Sequence, residues 1–191
     1  MISKNSVRFA GAALALAVAS VTVPSMQSFA QRTVMVGGAP MYPSKNIVEN
    51  AVHSRDHTTL VAAVKAAGLV DTLEGPGPFT VFAPTNEAFK KLPPGTVESL
   101  VKPENKPTLT KILTYHVVPG RLSAQDLAEM VDKGGGKTML KTVDGDGLTV
   151  MRNGNRHLTL TDDKGNVAMI TIADVFQSNG VIHVINTVMQ P

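Results

Sequence analysis

The sequence predicts an α+β fold with a largely antiparallel sheet, because the spacing of its apolar residues changes along the chain. In the first half they recur at helical spacing, as in residues 58–69. From Thr138 onward they alternate with polar residues, as Leu158 and Leu160 do with the threonines beside them. Turn-forming Gly, Asn and Asp residues separate the alternating stretches. Helices followed by hairpins are typical of an α+β domain.

Residues 1–30 have the pattern of an export signal. Two basic residues precede an apolar run at 10–23 that is short for a membrane span, and Ser-Phe-Ala at 28–30 fits a cleavage site. We therefore expect a mature chain that starts at Gln31 and is exported to the periplasm or the extracellular medium. An uncleaved membrane anchor is the alternative, and no other segment is apolar enough to span a bilayer.

The composition favours one domain with a substantial core. Without residues 1–30, 161 of the 191 residues remain. The chain has 18 basic and 15 acidic residues, and the first 30 hold two of the basic ones and no acidic one, so the mature charge is 16 minus 15, or +1. No basic run survives, so nucleic acid is not expected as a partner. Cysteine is absent, which excludes disulfides and a thiol nucleophile.

The helical half is predicted from caps and breakers. Residues 31–45 are rich in Gly, Pro and Met without a period, so we expect a flexible lead-in to a domain at 46–191. Asp56 is expected to cap a helix that Gly68 ends. A strand at 79–83 should stop at a proline. Further helices are expected to begin at capping residues, namely Thr85 or Asn86, Thr96, and Ser123 with Asp126.

The second half is predicted to be a series of strands. Turn-forming residues separate the predicted strands in the segments Asp144-Gly145-Asp146-Gly147, Asn153-Gly154-Asn155 and Lys164-Gly165-Asn166. The predicted strands are 138–143, 148–152, 156–161, 167–173 and 181–188.

Three segments resemble a fasciclin domain in their order and spacing. Residues 80–89 read Thr-Val-Phe-Ala-Pro-Thr-Asn-Glu-Ala-Phe, residues 112–118 read Ile-Leu-Thr-Tyr-His-Val-Val, and residues 179–186 read Asn-Gly-Val-Ile-His-Val-Ile-Asn. The resemblance runs from about Asn46 to Pro191. It implies a fasciclin-like β-sandwich wedge with helices packed along one edge.

The same resemblance implies a non-catalytic binding module that acts in adhesion, with a cell-surface or envelope protein or a matrix component as its partner. The alternative is a carrier of an apolar small molecule of the carotenoid or lipid type, as some fasciclin-like proteins are. Methionines would suit an adaptable apolar surface for such a ligand, although they can equally be core residues. The ones considered are Met130, Met139, Met151 and Met169.

The candidate partner-binding residues are Tyr115, His116, Lys102 and Lys106. The resemblance links the Tyr-His pair to cell-surface binding, and the two lysines belong to the neighbouring Pro- and Lys-bearing segment, which should be exposed. Apolar residues surround the pair, however, so the alternative is that His116 forms hydrogen bonds inside the core while Tyr115 packs there. His183 carries the same alternative.

No enzyme activity, metal or cofactor is expected. Nucleophilic catalysis needs a nucleophile presented beside a base, and the mature chain has no Gly-x-Ser-x-Gly segment. His53 and His57 stand four residues apart without a third metal ligand nearby. Asp144 and Asp146 lack the remaining ligands of a calcium loop and are better explained by a hairpin turn.

Overall fold

The structure is a computed structural model that describes residues 33–154 and 157–191. The helices are α1 (Ile47–Ala51), α2 (Thr58–Ala67), α3 (Val70–Glu74), α4 (Asn86–Lys90), α5 (Thr96–Leu100), α6 (Lys106–Tyr115) and α7 (Ala124–Lys133). The strands are β1 (Val34–Val36), β2 (Ala39–Met41), β3 (Phe79–Pro84), β4 (Val117–Pro119), β5 (Lys137–Lys141), β6 (Gly147–Asn153), β7 (His157–Thr161), β8 (Val167–Gln177) and β9 (Gly180–Ile185). The expected α+β class is confirmed. The export signal expected at 1–30 lies outside the described residues and stays a prediction.

A seven-stranded sheet with the order β4-β3-β9-β8-β7-β6-β5 forms the centre of the fold. Neighbouring strands are antiparallel except β3 and β9, which pair in parallel. The backbone N–H of Val143, just after β5, donates to the carbonyl of Val117 in β4 at 2.7 Å. The two ends of the sheet therefore meet, and the expected sandwich is one curved sheet that nearly closes on itself.

The sheet separates two apolar clusters. The inner cluster, closed by Leu127 and Val131 of α7, contains Phe82 and Ile185. The outer cluster lies between the sheet and helices α1, α2, α3 and α6. All six residues of β9 are buried, as are five of the six in β3. A parallel pair covered on both faces is the usual setting for such apolar strands.

The segment expected as a flexible lead-in contains a short hairpin of β1 and β2. Gly37 and Gly38 form its two-residue turn with φ values of 58° and 77°, a conformation that glycine adopts without strain. Gly37 also fits closely, because a Cβ there would lie 2.4 Å from the Oγ of Ser54. Val36 and Met41 are buried in the outer cluster, which holds the hairpin in place.

The predicted caps are partly correct. Ser123 and Asp126 form the expected capping box at α7, and Thr85 rather than Asn86 caps α4. Asp56 does not cap α2, since the backbone N–H of Thr59 donates to Oδ1 of Asn86 at 3.0 Å. A backbone N–H in the first turn of α2 therefore finds its acceptor on a residue that is distant in the sequence. Nor does Thr96 cap α5, because it is the first helical residue and Gly95 precedes it without a side-chain cap.

Candidate functional site

Tyr115 and His116 lie where α6 passes into β4, and both side chains are buried. Tyr115 is 0% exposed and its hydroxyl donates to the carbonyl of Gly147 at 2.8 Å. His116 is 2% exposed, and its Nε2 accepts from the backbone N–H of Met189 at 3.0 Å. This bond assigns the ring proton to Nδ1, which donates to the carbonyl of Ile112 at 2.8 Å.

Burial sets the protonation of this pair. Removal from water lowers the pKa of His116 to about 4, because the charged ring would lose its hydration. Burial, followed by the nearby carboxylates of Asp163 and Asp162, raises the pKa of Tyr115 to about 12. Both side chains are therefore neutral near pH 7. They stabilise the core, as the alternative interpretation of the sequence stated, and neither reaches the surface to contact a partner.

His183 is also a core residue. It is 0% exposed, its Nε2 lies 2.8 Å from the carbonyl of Leu122, and its ring stacks on Phe82 with centroids 5.7 Å apart. Burial lowers its pKa as well. The expectation of a core histidine on β9 is confirmed.

Lys102 and Lys106 are exposed at either end of the single helical turn Pro103–Asn105, which precedes α6. Lys106 lines an open groove of about 640 Å³. The ammonium of Lys106 also lies beside Gly68, the left-handed residue that ends α2, at 3.2 Å from the position a Cβ would take there. A cation at a helix carboxyl end is favourable, so Lys106 also has a structural role.

The floor of this groove carries charges that the sequence analysis did not assign to a site. The ammonium of Lys111 lies 3.2 Å from Asp146 and 3.9 Å from Asp144. Burial raises the pKa of Asp144, and the neighbouring carboxylate of Asp146 acts in the same direction. The groove could have been predicted from the polar stripe of α6, because residues 107, 110, 111 and 114 recur at helical spacing.

A second concave feature is an apolar cavity of about 80 Å³ beneath helices α1, α2 and α3. Aliphatic side chains line most of it, and its polar members include Ser54, His57 and His116. The Oγ of Ser54 lies 2.8 Å from Nδ1 of His57, and burial lowers the pKa of this histidine. Nε2 of His57 lies close to the Ala83 carbonyl without reaching hydrogen-bond geometry. The cavity therefore suits a small apolar group.

The residues considered for chemistry do not come together. His53 is exposed while His57 is buried, and no group of three possible metal-ligating side chains occurs in the part of the chain that the structure describes. Ser99 and Lys102 have the spacing Ser-x-x-Lys, so the expectation that the mature chain lacks this spacing is wrong. Both are exposed, and the Oγ of Ser99 accepts from the side chain of Asn105 at 3.2 Å, so they form no nucleophile–base pair.

Comparison with known proteins identifies the family to which the chain belongs. The family model for the fasciclin domain matches residues 55–191, so the chain belongs to the fasciclin-domain family. It is 44% identical over 179 residues to protein sll1483 of Synechocystis sp., covering 93% of this chain and 90% of that protein. It is 36% identical over 146 residues to immunogenic protein MPB70 of Mycobacterium bovis, covering 74% and 66%.

Two further comparisons concern larger proteins. Transforming growth factor-beta-induced protein ig-h3 of Sus scrofa is 41% identical over 132 residues, which are 69% of this chain and 17% of that protein. A solved fasciclin domain pair from the insect cell adhesion molecule fasciclin I has a TM-score of 0.69 at 18% identity, over 78% of this chain and 52% of that one. The structural likeness establishes the fold alone. In the described ranges, no helix has both the length and the apolar character to cross a membrane.

Proposed function

We propose that this protein is an exported, non-catalytic binding module that attaches to a cell-surface or envelope partner or a matrix component. The partner contacts the surface formed by Lys102, Lys106 and the turn Pro103–Asn105 between them. Tyr115 and His116 support this surface from the core by fixing the end of α6, and they do not touch the partner.

One observation carries the proposal. The exposed lysines stand beside an open groove, whereas the Tyr-His pair that the family resemblance pointed to is buried behind it. An exposed segment on a rigid helix can vary its contacts without disturbing the core. Fasciclin I is an insect cell adhesion molecule, and MPB83 of Mycobacterium bovis, 38% identical over 123 residues, is a cell surface glycolipoprotein.

The test is attachment by a strain that lacks the protein. We expect it to attach to surfaces or to neighbouring cells less than the parent strain, and we expect the wild-type chain to restore attachment. The double variant Lys102→Gln/Lys106→Gln should fail to restore it while remaining folded by circular dichroism. Lys90→Gln is the matched control, because Lys90 is exposed on α4 and pairs with Glu87 at 2.6 Å. Normal attachment by the deletion strain would contradict the proposal.

The apolar cavity favours a second candidate, a carrier of an apolar small molecule of the carotenoid or lipid type, of which a volume of about 80 Å³ would admit one end only. A dry cavity lined by aliphatic side chains accepts an apolar group in preference to water. Protein purified from its native host should then release such a compound into organic solvent, detectable by mass spectrometry. Val64 lines the cavity, so Val64→Phe should fill it and abolish loading. A native preparation free of any compound would contradict the carrier function and leave the attachment proposal untouched.

A further inference from the structure

The outward side of strands β5 to β8 carries an exposed apolar surface. Side chains at alternate positions of these strands fill the inner cluster, so the positions between them point outward. Met139 is 70% exposed, Val167 56% and Met151 39%. We name this surface the outer sheet face, and it consists of Met139, Met151, Val167 and Met169 with Lys137 and Lys141.

Strand register brings these residues into two rows. In the first row Met139 lies opposite Thr149, which lies opposite Thr161, which lies opposite Val167. In the second row Lys137 lies opposite Met151, then Thr159 and Met169. Apolar side chains therefore lie on three of the four strands, with the half-buried Thr149 and Thr161 and the buried Thr159 between them. The face is broad, about 15 Å across four strands at the usual strand spacing.

The charged side chains on the outer sheet face are basic. Lys137 and Lys141 flank Met139 and are both exposed, and His157 stands at one end. The outward positions of β5, β6, β7 and of β8 as far as Thr171 include no aspartate or glutamate. Lysines on an edge strand also discourage pairing with other chains. That role does not account for Val167, which lies three strands away from β5 and is more than half exposed.

We propose that the outer sheet face docks on the surface of an anionic lipid bilayer. The proposal rests on the proposed function, attachment to the envelope, and supplies a partner that the groove beside α6 does not. Methionine and valine side chains can enter the boundary between headgroups and acyl chains, while the lysines contact anionic headgroups. A second copy docked on the same face would bring four lysines into one interface with no carboxylate on the face to pair with them, and a peptide strand would pair with a sheet edge rather than with its face.

The experiment is cosedimentation of the exported chain with vesicles. One preparation contains phosphatidylglycerol and phosphatidylcholine in equal amounts, and the other contains phosphatidylcholine alone. We expect binding to the anionic vesicles and little to the neutral ones. Binding should weaken as the salt concentration rises from about 0.05 to 0.5 M, because salt screens exposed charges. Absence of binding to anionic vesicles, or equal binding to both preparations, overturns the proposal.

Paired variants identify the surface. Lys137→Glu/Lys141→Glu should reduce the bound fraction about tenfold or more, since each lysine contributes separately to attraction by an anionic surface. Met139→Ser/Val167→Thr should reduce it without changing the charge. Lys102→Gln/Lys106→Gln and Met35→Ser are the matched controls, because these residues lie on other elements and Met35 is 58% exposed. Loss of binding in the controls, with none in the face variants, would place the membrane contact elsewhere and overturn the assignment.

Two outcomes separate this proposal from the proposed function. If the deletion strain attaches normally while vesicle binding depends on the outer sheet face, attachment fails and membrane docking stands. If light scattering shows a dimer that Met139→Ser/Val167→Thr dissociates, the face belongs to a second copy and membrane docking fails.

Discussion

His116 is held in the core by hydrogen bonds to two segments that are far apart in the chain. It lies one turn beyond Ile112 in α6, and its second partner, Met189, follows 73 residues later. Both ring nitrogens are satisfied only while the ring is neutral, because a second proton on Nε2 would repel the N–H of Met189. One side chain therefore links the end of α6 to the carboxyl-terminal segment.

Acid should weaken the fold through this histidine. The pKa of folded His116 is about 4, against 6.5 for an unperturbed histidine, so the unfolded chain takes up its proton first as the pH falls. Stability from this residue is therefore complete above about pH 6.5 and is lost as the pH falls through 4, by roughly 3 kcal/mol in total. Burial lowers the pKa of His57 and His183 as well, which adds to the loss. Urea unfolding between pH 4 and 8 measures it.

Replacement of His116 tests the same hydrogen bonds at constant pH. His116→Ala strands a buried N–H and a buried carbonyl, so it should lower the free energy of unfolding at pH 7.5 by about 1–3 kcal/mol. It should also flatten the dependence of stability on pH. His53→Ala is the control, because this exposed histidine should leave stability at pH 7.5 unchanged. An unaltered urea midpoint for His116→Ala would show that the ring is not buried in solution.

Burial of this histidine could be predicted from the sequence, because apolar residues stand on both sides of it. Its partner could not be predicted, since no local pattern relates residues 116 and 189. The cap of α2 could not be predicted for the same reason. Its cap comes from Asn86 on another element, whereas sequence neighbours favoured Asp56. Local spacing identifies which residues are buried, whereas contacts across the fold decide what they bind and which side chain caps a helix.

At the scale of elements, β8 is the strand that connects the two apolar clusters. It runs for 11 residues and shifts register against β9 between Ile170 and Ile172, and again between Ile172 and Val175. The second shift contains Asp174, whose φ is 59°. This bulge turns the carboxylate toward α7, where it accepts from the backbone N–H of Ala124 at 2.7 Å. A bulge in the sheet thus satisfies the first turn of a helix.

Asp174 is expected to tolerate asparagine and not alanine. Alanine removes the acceptor for Ala124 and is also strained at a positive φ, so Asp174→Ala should lower the free energy of unfolding by about 2–3 kcal/mol. Asparagine keeps an oxygen in place and adopts this conformation readily, so Asp174→Asn should cost under about 1 kcal/mol. Urea denaturation of both variants gives the comparison. Equal losses of stability for the two variants would show that neither the hydrogen bond to Ala124 nor the positive φ of residue 174 accounts for the loss.

Most elements could be predicted because their signals are local. The hairpins of the second half carry Gly, Asn and Asp turns, and their strands alternate, so the observed β5 to β9 lie close to the predicted ranges. Two features lacked such a signal. The three-residue β4 follows a helix without a turn motif, and the parallel pairing of β3 with β9 joins residues about 100 positions apart. The first hairpin did have a signal, Gly37-Gly38 between apolar residues, but its surroundings resemble a linker.

At the scale of the whole molecule, the last strand, β9, joins the helical first half of the chain to the hairpins of the second half. β9 pairs with β3 and β8, and the segment after it turns back across the core. Val188 and Met189 are buried there, and the backbone N–H of Gln190 donates to Asp162 at 2.8 Å. The carboxyl-terminal segment therefore covers the inner cluster and satisfies His116 at the same time.

Removal of this segment should unfold the protein. A chain that ends at Ile185 loses the buried Val188 and Met189, where deletion of one large apolar side chain alone typically costs about 2–5 kcal/mol. It also strands His116, at about 1–3 kcal/mol. The combined loss is comparable to the whole stability of a typical domain, about 5–15 kcal/mol. Circular dichroism at 25 °C and a thermal scan measure the outcome.

The matched control is a chain that ends at Met189. It keeps both buried residues and the hydrogen bond to His116, and it loses the hydrogen bond between Gln190 and Asp162. Because Asp162 also accepts from the backbone of Lys164 and Asn166, its carboxylate stays satisfied, and the shortened chain should remain folded. If both truncated chains fold equally well, the carboxyl-terminal segment does not join the two halves. If only the longer one folds, the connection that no local pattern predicted is the one on which the fold depends.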